Sequence, residues 1–409
     1  MTKVHTVVMI SPGFPSEMPY FTRALALAGA RVLGVSDQPE TELPPLAREH
    51  LAGYLQVASF RDEPAFVEAV RNWTASMHVD RVVCLWEPAM LIGARLREAL
   101  GVPGLCVQET IPFRDKDRMK QVLANAGIRT PRHIRSTTSK ECHEAAAAIG
   151  FPVILKPVAG GGSVNTYRAD DEAQMESALA RMSHLAEVNV EEFVDGEEYT
   201  FDTICIDGEI VFFNIAWYRP RPLIARTNEW ISPQTICLRD VEADHLAEGR
   251  AMGRAVLRAL DFRNGFTHME WYRKPDGEAV FGEIAARPPG GRTVDAMNFA
   301  CDVDLFAGWA EVELHGRFSQ QVERKYNAAT IFKRAQGSGW IQRIEGLESL
   351  RARYGEHVVA VELASIGEQR RNWIEILTSD GFVIVRHPDL QRTLEMADAV
   401  GSDLQLYAG

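Results

Sequence analysis

The sequence predicts an α/β protein of more than one part, with a parallel α/β unit first and antiparallel sheets after it. Three observations carry this. Over residues 4–110, β-type runs alternate with helical stretches, which is the pattern of a doubly wound parallel sheet. Further on, strands come as hairpins, one turning at Asp207-Gly208 and one at "KPDGE", where Asp-Gly favours tight reversals. The chain has 409 residues, enough for two or three domains of roughly 150 residues each.

In order, "VHTVVMIS", "ARVLGVSD", "YLQVAS" and "RVVCLWE" read as strands, with helices near 17–29, 63–77 and 89–100 between them. "SPGFPSEM" follows the first strand, where such folds bind ligands, but it is not a G-x-G-x-x-G loop. "RDKDRMKQVLANAGIRTP" reads as a helix stopped at Gly127, with Pro131 beyond. Helix 139–150, strand "FPVILKPV", a glycine-rich turn, helix 171–187 and strand "VNVEEF" come next. A long helix is expected over 240–260, then the second hairpin. The remainder offers strands "AATIFKRA", "HVVAVELAS", "NWIEILTS" and "GFVIVRHP" and a closing helix near 389–400. No repeat or low-complexity linker separates these pieces.

Hydrophobic residues make up 46% of the chain and charged ones 24%, enough apolar material for a large core. No apolar run approaches the roughly 20 residues of a membrane span. The start, "MTKVHTVVMISPGFPSEM", lacks a cleavage pattern and reads as a first buried strand. The net charge of −12 disfavours nucleic acid or an anionic membrane as partner, while leaving room for a local basic pocket. Cys84, Cys106, Cys142, Cys205, Cys237 and Cys301 are scattered, with no C-x-x-C or Cys/His cluster. Neither a zinc site nor a disulfide framework is indicated, and buried thiols in a reducing cytoplasm are expected.

Three stretches carry candidate chemistry. "FPVILKPVAGGGS" puts Lys156 near a strand end, before Gly160, Gly161, Gly162 and Ser163. Glycines let backbone N–H groups approach an anion, and the lysine can reach the same phosphate; the same glycines also suit a plain flexible turn. "VEEFVDGEEYTFD" carries Glu191, Glu192, Glu197 and Glu198, either as a solvated acidic edge or as carboxylates that bind a nucleoside.

The third stretch is "HMEWYRKPDGEAVFGEIAARPPGG". With a two- or four-residue loop, Glu270 faces Glu283, His268 faces Ala285 and Tyr272 faces Phe281. His268, Glu270, Glu283 and Arg287 then share one face, with Met269, Trp271 and Ile284 on the core side. A three-residue turn with a bulge at Gly277 shifts the register by one and puts the glutamates on opposite faces. Both registers stay open on sequence grounds. On one face, two carboxylates resist joint ionisation without a cation, and Mg²⁺ takes one or two carboxylates together with substrate phosphates. An exposed acidic hairpin paired with Arg287 is the plainer alternative.

In order, "RDKDRMK", "FPVILKPVAGGGS", "VEEFVDGEEYTFD", "GFTHMEW" and "FGEIAARPPGG" resemble the ATP-grasp superfamily, in particular its carboxylate–amine ligases such as L-amino acid ligases. The resemblance covers roughly 1–320. It implies a Rossmann-like N-terminal domain over 1–114, an ATP-grasp domain over 115–320 with a lid near 130–195, and a C-terminal α/β domain over 321–409. It implies that Lys116 and Lys156 contact the ATP phosphates and that the loop with Gly161, Gly162 and Ser163 closes on them. By the same resemblance Glu191, Phe193 and Val194 meet the adenine, Glu198 the ribose, and Glu270 and Glu283 the metal, Mg²⁺ or Mn²⁺. Arg287 would hold a substrate carboxylate or acyl phosphate, and His268 would face the substrate. Two departures stand out: Glu283-Ile284-Ala285 replaces the common E-x-N, and no glycine follows Ser163.

The resemblance implies cytoplasmic ATP-dependent joining of a small carboxylate to an amine, both amino acids, in a homodimer, with no nucleic acid and no membrane. An ATP-grasp enzyme of purine or cofactor synthesis, a non-catalytic nucleotide sensor and a nicotinamide oxidoreductase are the rivals. "WYRPRPLIARTNEW" offers Arg219, Arg221 and Arg226 beside aromatics, either framing the substrate or forming a basic solvated turn.

Overall fold

The computed structural model describes residues 4–158, 165–374, 376 and 378–409. The first 100 residues build a parallel sheet ordered Gly53–Gln56, Arg31–Ser36, Thr6–Ile10, Arg81–Cys84. Its inner strands are nearly continuous runs of Val, Ile, Leu and Met because helices cover both faces. Val7 to Ile10 are completely buried. Met18–Leu27, Glu63–Thr74 and Met90–Leu100 are the covering helices, as the sequence predicts.

The helix Lys116–Asn125 leads into a four-stranded antiparallel sheet ordered His133–Ser136, Val188–Glu192, Val153–Pro157, Tyr167–Ala169. Helices Ser139–Ile149 and Glu172–Arg181 bury their apolar stripes against it. The second helix stops well short of 187, closed by a turn in which Leu185 N donates to the Met182 carbonyl.

A nine-stranded antiparallel sheet forms the centre of the molecule. Glu197–Ile206 pairs with Glu209–Asn214 across Asp207 and Gly208, which both have positive φ, the geometry of a tight primed turn. On its other edge Glu197–Ile206 pairs with Gly265–Arg273, the first arm of the second hairpin, and Ala279–Ala285 is the second arm. From Asn327 onward the chain extends this same sheet through Asn327–Phe332, Gly381–His387 and Val358–Leu363. The closing helix runs Leu390–Asp403.

The helix expected over 240–260 is Ala247–Ala259, after one short turn at Asp244–Leu246. Arg250 holds the carbonyls of Val241 and Ala243 and keeps that stretch out of the helix. Gly249 and Gly253 face Trp271 and Phe201, which occupy the space a Cβ would need, so the helix lies close against the sheet. "NWIEILTS" is not a strand among its described residues. It turns, with Ile376 N donating to the Asn372 carbonyl and Ser379 N to that of Ile376. Among the described residues no helix is long and apolar enough to cross a membrane.

Candidate active site

The helix Lys116–Asn125 is capped by Asp115, whose carboxylate accepts from Asp117 N and Arg118 N at 3.0 Å each. Its buried face is Lys116, Met119, Lys120 and Leu123. Met119 and Leu123 enter the core, while the two lysines on the same face end on carboxylates. Lys116 Nζ lies 3.0 Å from Glu283 Oε2, and Lys120 Nζ bonds Glu191. Lys156 meets the other Glu191 oxygen at 2.8 Å. Glu191 sits opposite Ile154 in the ladder, which makes Lys156 its diagonal neighbour on the same face. Burial works to raise the Glu191 pKa, but Lys120 and Lys156 override it and hold the carboxyl at about 2. Burial pulls Lys120 down to about 8 against the attraction of Glu191.

The second hairpin contains both registers left open by the sequence. At its tip Gly277 has φ of +91° and Lys274 pairs with Glu278, the three-residue turn. From there Arg273 faces Ala279, Tyr272 faces Val280 and Trp271 faces Phe281. The expectation that Tyr272 faces Phe281 is therefore corrected. Between Trp271 and Glu270 the register slips by one, and Glu270 then faces Glu283, Met269 faces Ile284 and His268 faces Ala285. The extra residue is Gly282, where a Cβ would stand 2.8 Å from the Glu270 carbonyl oxygen. A bulge thus restores the pairing that the turn alone would break. Met269, Trp271 and Ile284 lie in the core, as expected for the opposite face.

Lys116, Lys156, Glu191, Glu198, Glu270 and Glu283 line one cavity. Burial works to raise the Glu283 pKa, but Lys116, Lys156 and Arg287 hold it at about 2. Glu198 is pushed up by burial and by Glu270, even with Arg221 Nε 3.4 Å away. Glu198 thus feels the neighbouring Glu270, while Glu191 and Glu283 are held ionised by the lysines beside them.

Behind Glu270, His268 Nδ1 lies 2.6 Å from Asp202 and Nε2 lies 3.5 Å from Glu270. Burial opposes its charge, but Asp202 and then Glu270 raise the imidazole to about 9. Asp202 also accepts from Thr200 at 2.7 Å and Asn214 at 3.1 Å, and Tyr218 donates to Glu270 at 3.4 Å. Arg287 sits to one side. Its Nε and Nη2 contact Glu87 Oε2 at 2.8 and 2.6 Å, and Nη1 donates to the Pro288 carbonyl at 2.8 Å. Glu87 also takes Arg114. The Phe193 ring packs between the guanidinium groups of Arg168 and Arg221, and Arg221 donates to the Val194 carbonyl at 2.8 Å. Gly161, Gly162 and Ser163 lie outside the described residues.

Sequence reasoning missed Lys120, Glu87 and Asp202. Lys120 had a usable signal, because two lysines four apart occupy the otherwise apolar stripe of "KDRMKQVL". Glu87 follows the last strand of the parallel sheet, at the end where such sheets bind ligands. Asp202 has no signal of its own inside an apolar strand.

A cleft of lysines and carboxylates between a small antiparallel sheet and a large one, fronted by a parallel α/β sheet, defines a nucleotide-dependent class of protein. Residues 149–295 match the family model of the ATP-grasp domain and residues 21–104 that of the ATP-grasp N-terminal domain. The chain belongs to the ATP-grasp superfamily. It is 27% identical over 219 residues to an L-arginine-specific L-amino acid ligase of Bacillus subtilis, a match covering 52% of each chain. The chain thus spans about half the length of this curated relative. In fold it resembles the crystal structure of L-amino acid ligase from Bacillus licheniformis, with TM-score 0.82 and 20% identity over 100% of both chains. It also resembles N5-carboxyaminoimidazole synthetase from Staphylococcus aureus complexed with ADP, with TM-score 0.72 and 17% identity over 97% of each chain.

Proposed function

We propose that the protein is an ATP-dependent carboxylate–amine ligase that forms an amide or peptide bond and releases ADP and phosphate. The observation that carries this reading is the direct pairing of Glu270 with Glu283 on one strand face, with Lys116 on Glu283. Glu270 and Glu283 present hard oxygen donors, which fit Mg²⁺ or Mn²⁺. Among the described residues no group of three or more His, Cys, Asp or Glu forms a complete metal cage. Bound there, the ion would neutralise phosphate charge.

In the first step a substrate carboxylate oxygen attacks the γ-phosphorus of ATP. The bond to the β,γ-bridging oxygen breaks and ADP leaves. In the second step an amine nitrogen attacks the acyl carbon, the carbon–oxygen bond to phosphate breaks, and the amine loses a proton. Lys116 and Lys156 stand where they can offset charge on the transferring group, so positioning and electrostatics supply the catalysis. His268 orients Glu270 from behind. Arg287, fixed by Glu87, presents charge at the side of the site nearest the parallel sheet. Glu198 and the Phe193–Val194 wall would hold the nucleoside, with Arg221 between them.

The test is a panel of the standard amino acids, singly and in pairs, assayed for phosphate release with ATP and Mg²⁺. An ¹⁸O label in the substrate carboxylate should appear in the released phosphate. Glu283→Ala should lower turnover at least 100-fold with the fold intact, the scale of losing a main electrostatic contact. Unlabelled phosphate, or unchanged turnover of the variant, overturns the assignment.

A further inference from the structure

The small antiparallel sheet turns one face toward the helix Lys116–Asn125, and Asn189 lies on that face. Alternation along Val188–Glu192 puts Asn189 and Glu191 on the same side. In the ladders Asn189 stands directly opposite Lys156 in one neighbouring strand and Arg135 in the other. The helix closes over this face. His133 Nε2 lies 3.2 Å from Asp117, Arg135 Nη1 lies 3.9 Å from Asp115, Lys120 bonds Glu191, and Lys116 N donates to the Val158 carbonyl at 3.4 Å. Asn189 is completely buried in the middle of these contacts.

The side chains around it are engaged, and its own is not. His133, Arg135, Lys156 and Glu191 all have charged partners. Among the described residues neither the oxygen nor the nitrogen of the Asn189 amide has a hydrogen-bond partner. Buried polar atoms are paired in the great majority of cases, because an unpaired one bears its full desolvation cost. An amide with both atoms idle beside a phosphate-facing lysine marks a place where a second set of bonds forms when the site fills.

The lysine opposite can supply those bonds. With Lys156 on Glu191 at 2.8 Å, a phosphate must compete with a carboxylate for the ammonium. A neutral amide oxygen holds an ammonium without cancelling its charge. Directly opposed strand residues stand about 4.5–5.5 Å apart at Cβ, within the sweep of a lysine stem, and an ammonium has three donors to share. We propose that Asn189 is a positioning residue for nucleotide binding: as phosphates arrive, Lys156 leaves Glu191, gives one N–H to the Asn189 amide oxygen and turns the other two to phosphate. Glu191 keeps Lys120, and its freed oxygen accepts from the Asn189 side-chain nitrogen, so that both amide atoms become paired. This rests on the nucleotide-binding part of the ligase reading and not on the ligation step.

The test is calorimetric titration of ATP into the full chain with Mg²⁺, alongside thermal melts without nucleotide. Asn189→Leu keeps the volume and removes the idle amide. It should melt no lower than wild type yet bind ATP on the order of 10-fold more weakly, the scale of one hydrogen bond to a charged group. Lys156→Met should also weaken ATP binding, and adding Asn189→Leu to it should cost nothing further, because the two side chains act as one unit. Asn189→Asp sets a second carboxylate against Lys156 and should likewise fold and bind ATP more weakly; it decides the matter if the leucine variant does not fold. Wild-type ATP affinity in either Asn189 variant overturns the proposal. So does an Asn189→Leu protein that melts lower and loses the same affinity with or without Lys156, which assigns Asn189 to packing alone. In both cases the ligase reading survives. A wild type that takes up no ATP removes both.

Discussion

His268 shows how a single buried side chain ties charge to stability. Burial lowers its pKa, but Asp202 and Glu270 override this and raise it to about 9 from an ordinary 6.5. A raised folded pKa means that the stabilisation is complete below about 6.5 and is lost as pH rises through about 9. Urea unfolding of the metal-free protein between pH 6.5 and 9 should therefore show falling stability. Asp202→Asn should flatten that slope, and an equally steep slope in the variant would remove Asp202 as its cause. Lys120 poses the converse case. It is completely buried and bonded to Glu191. Lys120→Met leaves a buried carboxylate with Lys156 alone, and the cost expected from breaking such a pair is about 3–5 kcal/mol. A melting temperature equal to wild type would mean that Lys156 suffices.

At the scale of the element, the second hairpin decides the site. Gly282 absorbs one extra residue, and a Cβ there meets the Glu270 carbonyl oxygen at 2.8 Å. Gly282→Val should destabilise by about 1–3 kcal/mol, as overpacking of a filled position does, and should abolish turnover by moving Glu283. Turnover near wild type would show that the bulge forms without glycine. This element also shows what a sequence can and cannot disclose. Alternation set Glu270 apart from Met269 and Trp271 along one strand and Asp276-Gly277 placed the turn, while the face of Glu283 relative to Glu270 stayed open. The bulge was invisible because it depends on a close approach between two backbones, which no local propensity encodes. The parallel strands were legible because their apolar runs are continuous. The described residues of "NWIEILTS" were misread because the stretch has strand composition, while Asp380, completely buried, accepts from Arg371 N and Ala335 N and bends the chain away. Lys116 and Lys156 were legible through the order of motifs, whereas Asp202 needed the fold.

At the scale of the molecule, the site draws on every layer: Glu87 from the parallel sheet's end, Lys156 and Glu191 from the small sheet, and Glu198, Glu270 and Glu283 from the large one. A ligand that bridges these layers should stabilise the whole chain. At 100 times its dissociation constant, ATP with Mg²⁺ is expected to add about 2.7 kcal/mol, seen as a rise in melting temperature. No rise at saturating nucleotide would argue against a bridging ligand. One turn of helix has a further consequence. Lys116 grips the large sheet through Glu283, and Lys120 grips the small sheet through Glu191. Both grips come from a span of about 5–6 Å, the height of that turn. The two sheets are clasped there, and Arg129, held between Glu192 and Glu278, adds a second tie between them.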